Sequence, residues 1–276
     1  MIRDSRLLDA LADTAIAAGR VILDVYGCDF AVSHKSDASP VTQADERAEA
    51  VILADLARLL PGVPVVAEEQ VSSGRIPGDL GDLFVLVDPL DGTREFVARN
   101  GEFTVNIALV EKGRPVAGIV VAPALREIHV GLVGSGAWAG RIEADGRIRR
   151  LPIAVRAAPD EGLTVVASRS HAGAETEALL ARLPVARRIS VGSSLKFCRV
   201  ACGEADLYPR LGRTMEWDTA AGEAVLVAAG GIVAGLDGRA LAYGRRSWDG
   251  AEAFANPWFL AAGSRAVLDL AATRRA

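Results

Sequence analysis

The stretch Phe84-Val85-Leu86-Val87-Asp88-Pro89-Leu90-Asp91-Gly92-Thr93 constrains this chain more than any other. Four consecutive apolar residues read as a buried strand. A buried strand that ends in two aspartates needs a compensating partner, because lone charge is costly away from water. Pro89 stiffens the backbone between the acids, and Gly92 permits a tight turn. The spacing predicts a rigid elbow that aims two carboxylates at one point. Oxygen-only ligands suit hard cations such as magnesium. The plain competitor is an ordinary turn, since Asp-Pro and Asp-Gly are common turn formers. Two sharper competitors fail. A phosphatase strand ending in Asp-x-Asp-Gly-Thr uses its first Asp as nucleophile, but here the spacing is Asp-x-x-Asp and Pro89 stands where that nucleophile belongs. An EF-hand loop needs alternating ligands and a glutamate at its twelfth position, which here is Arg99.

Further acids gather round this elbow. Val63 to Ala67 reads as a short strand, and it too ends in carboxylates, Glu68 and Glu69. Carboxylates delivered by successive strand ends repel one another unless a cation sits between them. Asp218, after Trp217, opens a helix, where an acid ordinarily only caps or complements the dipole. Beside Glu68, Asp88 and Asp91 it becomes a further ligand. Gly192-Ser193-Ser194-Leu195-Lys196 opens another helix, whose free N–H groups and lysine can bind a phosphate, unless a serine merely caps it. Arg210 and Arg213 offer positive charge ahead of Trp217, while Trp248-Asp249 reads as a surface turn. Thr42-Gln43-Ala44-Asp45 resembles a capping box, and Asp45 with Thr93 is a candidate pair to orient a water. His34, His129 and His171 have no Ser/His/Asp context, so metal-activated water fits better than a serine triad.

At 276 residues the chain suits one large domain or two lobes. A helix is expected over Asp4 to Tyr26, a polar lid or loop over Ser33 to Pro40, and a second helix to about Leu60. Strand-like runs then follow as a meander: Phe103 to Val110, Pro115 to Val121, Glu127 to Leu132 and Ala137 to Ile142. Residues 150–162 read as a connection. Strands and helices alternate from Thr164 to Ala229, which implies an α/β second half, and Ser264 to Arg275 reads as a final helix. The expected division is 1–150, an α+β lobe with Glu68 and the Asp88–Thr93 motif, and 151–276, an α/β lobe with Asp218. A net charge of −4 gives no general pull towards nucleic acid polymers. No apolar run reaches about 18 residues, so no transmembrane segment is expected. The N-terminus lacks the order of a signal peptide, and Cys28, Cys198 and Cys202 make no disulfide framework, so the expected location is cytoplasmic.

With these residues in place, the chain resembles the lithium-sensitive, magnesium-dependent sugar phosphatases, the superfamily of inositol monophosphatase and fructose-1,6-bisphosphatase. The resemblance lies in Ala67-Glu68-Glu69, Val87-Asp88-Pro89-Leu90-Asp91-Gly92-Thr93 and Trp217-Asp218-Thr219-Ala220-Ala221-Gly222, in that order. Within the superfamily the chain is similar to the CysQ-type 3'(2'),5'-bisphosphate nucleotidases. That closer match rests on 94–106, on Val166-Ala167-Ser168-Arg169-Ser170-His171, on Gly192 to Cys198 and on Leu207-Tyr208-Pro209-Arg210. It is read from about residue 30 to Pro257, with a tail of no assigned role.

The resemblance implies a layered αβαβα sandwich with the active site between lobes. It implies one magnesium on Glu68, Asp88 and the Leu90 carbonyl, a second on Asp88, Asp91 and Asp218, and room for a third, weaker ion near Glu68. Gly92 and Thr93 would contact phosphate, Asp45 and Thr93 would position the attacking water, and Ser193, Lys196 and Arg210 would meet the rest of the substrate. The implied substrate is a small phosphorylated molecule, adenosine 3',5'-bisphosphate, cleaved to AMP and phosphate, with its 5'-phosphosulfate analogue as a further substrate and sulfur metabolism as the setting. The alternatives are inositol phosphate or fructose-1,6-bisphosphate hydrolysis, and a non-catalytic nucleotide sensor. Relatives are monomers or homodimers, and a peripheral place at the inner membrane face stays open.

Overall fold

A computed structural model of the chain describes residues 4–29, 32–34, 40–167, 173–246 and 252–273. Asp4 caps α1 (Ser5–Tyr26) by accepting the Arg6 N–H, and an apolar stripe with Leu8, Leu11, Ala15 and Ile22 is buried along it. β1 (Val32–His34) pairs antiparallel with β2 (Pro40–Thr42), so the described ends of the expected lid form a hairpin. The rest of that segment, 35–39, lies outside the described residues, as do Ser168 to His171 and Trp248-Asp249. Then come α2 (Gln43–Leu59), β3 (Val65–Ala67), α3 (Glu68–Ser72), β4 (Leu83–Asp91) and α4 (Thr93–Val97). The meander follows as β5 (Thr104–Glu111), β6 (Arg114–Ala122), β7 (Glu127–Leu132), β8 (Gly136–Ile142) and β9 (Ile148–Ile153). Strands β3 to β9 make one seven-stranded sheet in chain order, parallel only between β3 and β4.

The second half supplies β10 (Leu163–Ala167), α5 (Ala174–Leu180), β11 (Val185–Ser190), α6 (Leu195–Ala201), β12 (Leu207–Arg210) and α7 (Glu216–Ala228). It ends with β13 (Ile232–Gly235), β14 (Phe259–Ala262) and α8 (Arg265–Thr273). The second sheet has the order β11-β10-β12-β14-β13, parallel across β11, β10 and β12 and antiparallel beyond. Two expectations are corrected here. Residues 148–153 are an edge strand, and only 154–162 connect the sheets. The unassigned tail is integral: β14 lies between β12 and β13, and α8 buries Val267, Leu268 and Ala271 against that sheet.

Three apolar cores stack these elements into five layers. α1 and α2 bury their stripes on one face of the seven-stranded sheet. α6 and α7 fill the space between the two sheets, with Phe197, Val200, Trp217 and Val225 among the buried residues. α5 and α8 cover the outer face of the five-stranded sheet. The αβαβα sandwich follows from these faces, each of which must be covered to leave water. α7 lies so close to the meander that a Cβ at Gly118 would stand 2.2 Å from the Ala221 carbonyl oxygen. Cys198 on α6 faces this core, the half-buried Cys202 follows at the end of the helix, and both are free thiols.

The central layer also buries acids. The Tyr243 hydroxyl donates to Glu223 at 2.6 Å, and Glu216 accepts the N–H groups of Gly244 and Arg245. Burial pushes both Glu216 and Glu223 up to about 7, against partial relief from these hydrogen bonds. A folded pKa above the unfolded value means stability that is complete in acid and lost as pH rises through about 7. Glu223→Gln, which keeps an acceptor for Tyr243, should therefore flatten the fall in melting temperature between about pH 5 and 8. At the alkaline end the gain should be on the order of 1–3 kcal/mol, and near pH 5 the two proteins should melt together. Calorimetric melts across this range check it, and parallel curves for the two proteins would refute it.

Candidate active site

Asp88 and Asp91 lie three apart on β4, a spacing that sends side chains to opposite faces of a regular strand. Here Asp88 pairs with Asn106 and Asp91 with Thr104, so three steps on β4 oppose two on β5. That extra residue is a bulge, which re-aims side chains. The carboxylates of Asp88 and Asp91 consequently converge, and the first turn of α7 adds Asp218; one oxygen from each lies within 4.8 Å of the others. Strand β4 runs past the apolar residues 84–87 through Asp91, so both acids lie within it, and the turn falls at Gly92. Gly92 then takes φ +87°, and a Cβ there would meet Ser193 Oγ at 2.0 Å. Only glycine fits both the backbone and the space.

The two sheets are tied together at this point. Ser194 Oγ lies 3.0 Å from Asp91 Oδ2 and 2.7 Å from the Asp218 carbonyl oxygen, and it accepts from Asn106 Nδ2 at 2.9 Å. Ser193 Oγ lies 2.9 Å from the Asp91 carbonyl oxygen, and the Met215 N–H donates to Asp218 Oδ2 at 2.8 Å. α6 begins only at Leu195, and the Gly192 N–H is taken by Glu102 Oε2 at 2.9 Å. This moves the helix start from Ser193 to Leu195 and removes the Gly192 N–H from those that could meet a phosphate. Ser194 and Asn106 escaped the sequence reading because their partners lie on other elements.

Asp45 caps α2 and also reaches Thr93. Its Oδ2 accepts the N–H and hydroxyl of Thr42, each at 2.8 Å, which completes the capping box of α2. Its other oxygen lies 3.3 Å from Thr93 Oγ1, which is also 3.3 Å from the Leu90 carbonyl oxygen. The Leu90 N–H in turn donates to Asp88 Oδ1 at 3.0 Å.

A cavity of about 230 Å3 opens here, lined by Glu68, Asp91, Gly92, Thr93, Ser193, Lys196, Tyr208, Arg210, Thr214, Asp218 and Thr219, with Arg94, Glu95 and Phe197. Glu68 leads α3 into this cavity but stands outside the three-aspartate cluster. Lys196 is buried; its Nζ is 2.5 Å from the Ser193 carbonyl oxygen and 5.4 Å from the centre of the Tyr208 ring. Burial pushes Lys196 down to about 8, with Asp91 opposing and the Arg210 cation adding to the shift. Burial also raises Asp91, against the attraction of Lys196. Asp218 is pushed up to about 7 by burial first, then by Asp91 and Glu68. Arg210 donates to the Arg213 carbonyl, and its buried Nε has no hydrogen-bond partner. Arg213 itself turns away to pair with Glu252 at 2.5 Å, so only one of the two expected arginines lines the cavity. Three oxygen donors that repel one another in a buried pocket fit a hard divalent cation. Among the described residues no helix is long and apolar enough to cross a membrane.

Comparison with known proteins gives a consistent picture. Residues 4–268 match the profile described as the inositol monophosphatase family, so the likeness extends past Pro257 into α8 and starts before residue 30. The chain is 43% identical over 255 residues to the 3'(2'),5'-bisphosphate nucleotidase CysQ of Salmonella typhimurium, covering 92% of this chain and 98% of that one. The crystal structure of CysQ from Bacteroides thetaiotaomicron superposes with a TM-score of 0.77 at 36% identity, over 96% of this chain and 100% of that chain. The extragenic suppressor protein suhB of Bartonella henselae gives a TM-score of 0.78 at 26% identity, over 98% of this chain and 99% of its own.

Proposed function

The chain belongs to the inositol monophosphatase family, a family of metal-dependent enzymes, and from that premise we propose that it is a 3'(2'),5'-bisphosphate nucleotidase. It removes the 3'-phosphate of adenosine 3',5'-bisphosphate and releases AMP. The observation that carries the reading is one cavity in which Asp91 and Asp218, two of the three converging aspartates, share the wall with two cationic side chains, Lys196 and Arg210. The acids suit the scissile phosphate with its metal, and the cations suit a second anionic group on the same substrate. The 5'-phosphosulfate analogue carries the same two anionic ends.

In this reading Glu68, Asp88 and the Leu90 carbonyl would hold one magnesium, and Asp88, Asp91 and Asp218 would hold a second, with a weaker third beside Glu68. The bound ions supply charge neutralisation at the phosphate and a lowered pKa for the attacking water. The chain's own groups do the rest. Asp45 draws on the Thr93 hydroxyl, so that Thr93 orients the water and Asp45 takes up its proton. The N–H groups of Gly92 and Thr93 hold the phosphate oxygens in line. Ser193, which bridges Asp91 and Glu102, lines the wall against which the nucleotide rests.

Phosphate release from adenosine 3',5'-bisphosphate and from inositol 1-phosphate, with magnesium and then with chelator, tests the reading. The expected result is chelator-sensitive release from the nucleotide in preference to the inositol ester. Arg210→Met should lower kcat/KM for the nucleotide by roughly 10–100-fold, the range for a hydrogen bond to a charged group, and leave the inositol ester nearly unchanged. Preference for inositol 1-phosphate in the parent protein would overturn the substrate assignment. No release from either ester would favour the nucleotide sensor.

A further inference from the structure

Glu49 lies one helical turn beyond Asp45 on α2, and the two carboxylates share one buried face, with Asp45 2% and Glu49 4% exposed. Asp45 turns towards Thr93, whereas Glu49 turns towards α3. Its Oε2 accepts the Glu69 N–H at 2.8 Å, and the Gln70 N–H also donates to this carboxylate. α3 has only five residues, starts at Glu68, and has no side-chain cap of its own, because Ala67 occupies the capping position. The first N–H groups of a helix have no partner within it. A buried anion from a different helix supplies what the local sequence lacks. Burial raises the Glu49 carboxyl above its ordinary range, the nearby Glu68 charge adds to this, and Arg75 opposes it. A charged group kept there at such a cost has a task other than apolar packing.

We propose that Glu49 is a positioning residue, which fixes the backbone of 68–70 and thereby sets the aim of Glu68 as a divalent-cation ligand. The proposal rests on the metal-centre reading of the site. Its consequence is that one rigid helix brackets two parts of the reaction: Asp45 holds Thr93, and Glu49 holds the turn that carries Glu68. Neither distance is set by α3 or α4, which are each a single short turn.

Mn2+ binding to the full chain without substrate, followed by electron paramagnetic resonance of the free ion, tests this in the parent, Glu49→Ala, Glu49→Gln, Glu68→Gln and the double variant Glu49→Ala/Glu68→Gln. Glu68→Gln should weaken one class of site. Glu49→Ala should weaken the same class by roughly 10–100-fold, the range for groups that orient a metal ligand. The double variant should bind within about twofold of Glu68→Gln alone, because Glu49 acts through Glu68. Glu49→Gln keeps one acceptor and should fall between parent and Glu49→Ala; it decides the matter if the alanine variant does not fold. Parent-like binding by both Glu49 variants, or losses that add in full to those of Glu68→Gln, would reduce Glu49 to a helix cap and overturn the proposal. Unchanged binding in Glu68→Gln would remove Glu68 from the metal site, a separate failure that takes the positioning role with it.

Discussion

Asp91→Asn should lower turnover of adenosine 3',5'-bisphosphate by about 10^3-fold or more while the metal-free protein should melt at a higher temperature. The two effects have one cause. Asp91 lies in the three-aspartate cluster, buried, and with its carboxyl raised by burial. Its negative charge is costly without a cation and essential with one. Asparagine keeps the side-chain volume, and its oxygen can still accept from Ser194, so the bridge to α7 survives. The Ser193 contact is to the Asp91 backbone carbonyl and is untouched. What disappears is an anionic ligand, and several kcal/mol of transition-state stabilisation with it; a loss of about 4 kcal/mol corresponds to about 10^3 in rate. In chelator the variant also loses its repulsion of Asp218, which should raise the melting temperature by about 2–4 °C for each kcal/mol relieved. Phosphate release at saturating magnesium, with melts in chelator, reads both. Turnover within about tenfold of the parent would remove Asp91 from the metal site.

Asp45→Asn should cost about 10^2–10^4 in kcat, the range for a lost general base, with little change in stability. The reason is the direction of its hydrogen bonds. The Thr42 N–H can only donate, so the oxygen of an asparagine must stay on that side. Its NH2 then faces Thr93, whose hydroxyl has to accept where it donated before. The α2 cap is kept, and the melting free energy should move by no more than about 1 kcal/mol. The Thr93 proton, however, no longer has a carboxylate to point at. Thr93→Ala should cost a similar factor, Thr93→Ser should restore most of it, and the double variant should be no worse than either single one, because the two residues act as a unit. Single-turnover rates for the set are the measurement. Additive losses in the double variant would show that the pair does not act together.

The meander and the alternating strands and helices of the second half were legible from the order of apolar runs, whereas the αβαβα layering was implied by the family resemblance alone. The strand order in the second sheet was not legible. β14 is inserted between β12 and β13 by pairing between residues more than fifty apart, such as Tyr208 with Ala261, and no local signal records such pairing. The edge strand β9 was hidden for another reason. Arg149 and Arg150 make it read as a polar connection, yet charge on an edge strand is how sheets avoid further pairing. At the site, Asp88, Asp91 and Thr93 announced themselves through Pro89 and Gly92. Ser194, Asn106, Glu49 and Glu102 did not, since each acts on a group that the chain brings alongside only after folding.

The sequence by itself determined the chemistry on offer: oxygen ligands at two strand ends, an acid at a helix start, no serine triad, and cations in the second half. Those are properties of residue type and short-range spacing, which survive without a fold. Only the tertiary structure decided that the acids meet. Asp88 and Asp91 face the same way because β5 imposes a bulge on β4, and Asp218 joins them because α7 is pressed between two sheets against Gly118. The burial of Lys196 and the grip of Glu49 on the Glu68 turn belong to the same level. Charge that is harmless in an unfolded chain becomes costly once packing removes its water, and that cost, which no single residue carries in its identity, falls here on acids and cations brought to one pocket.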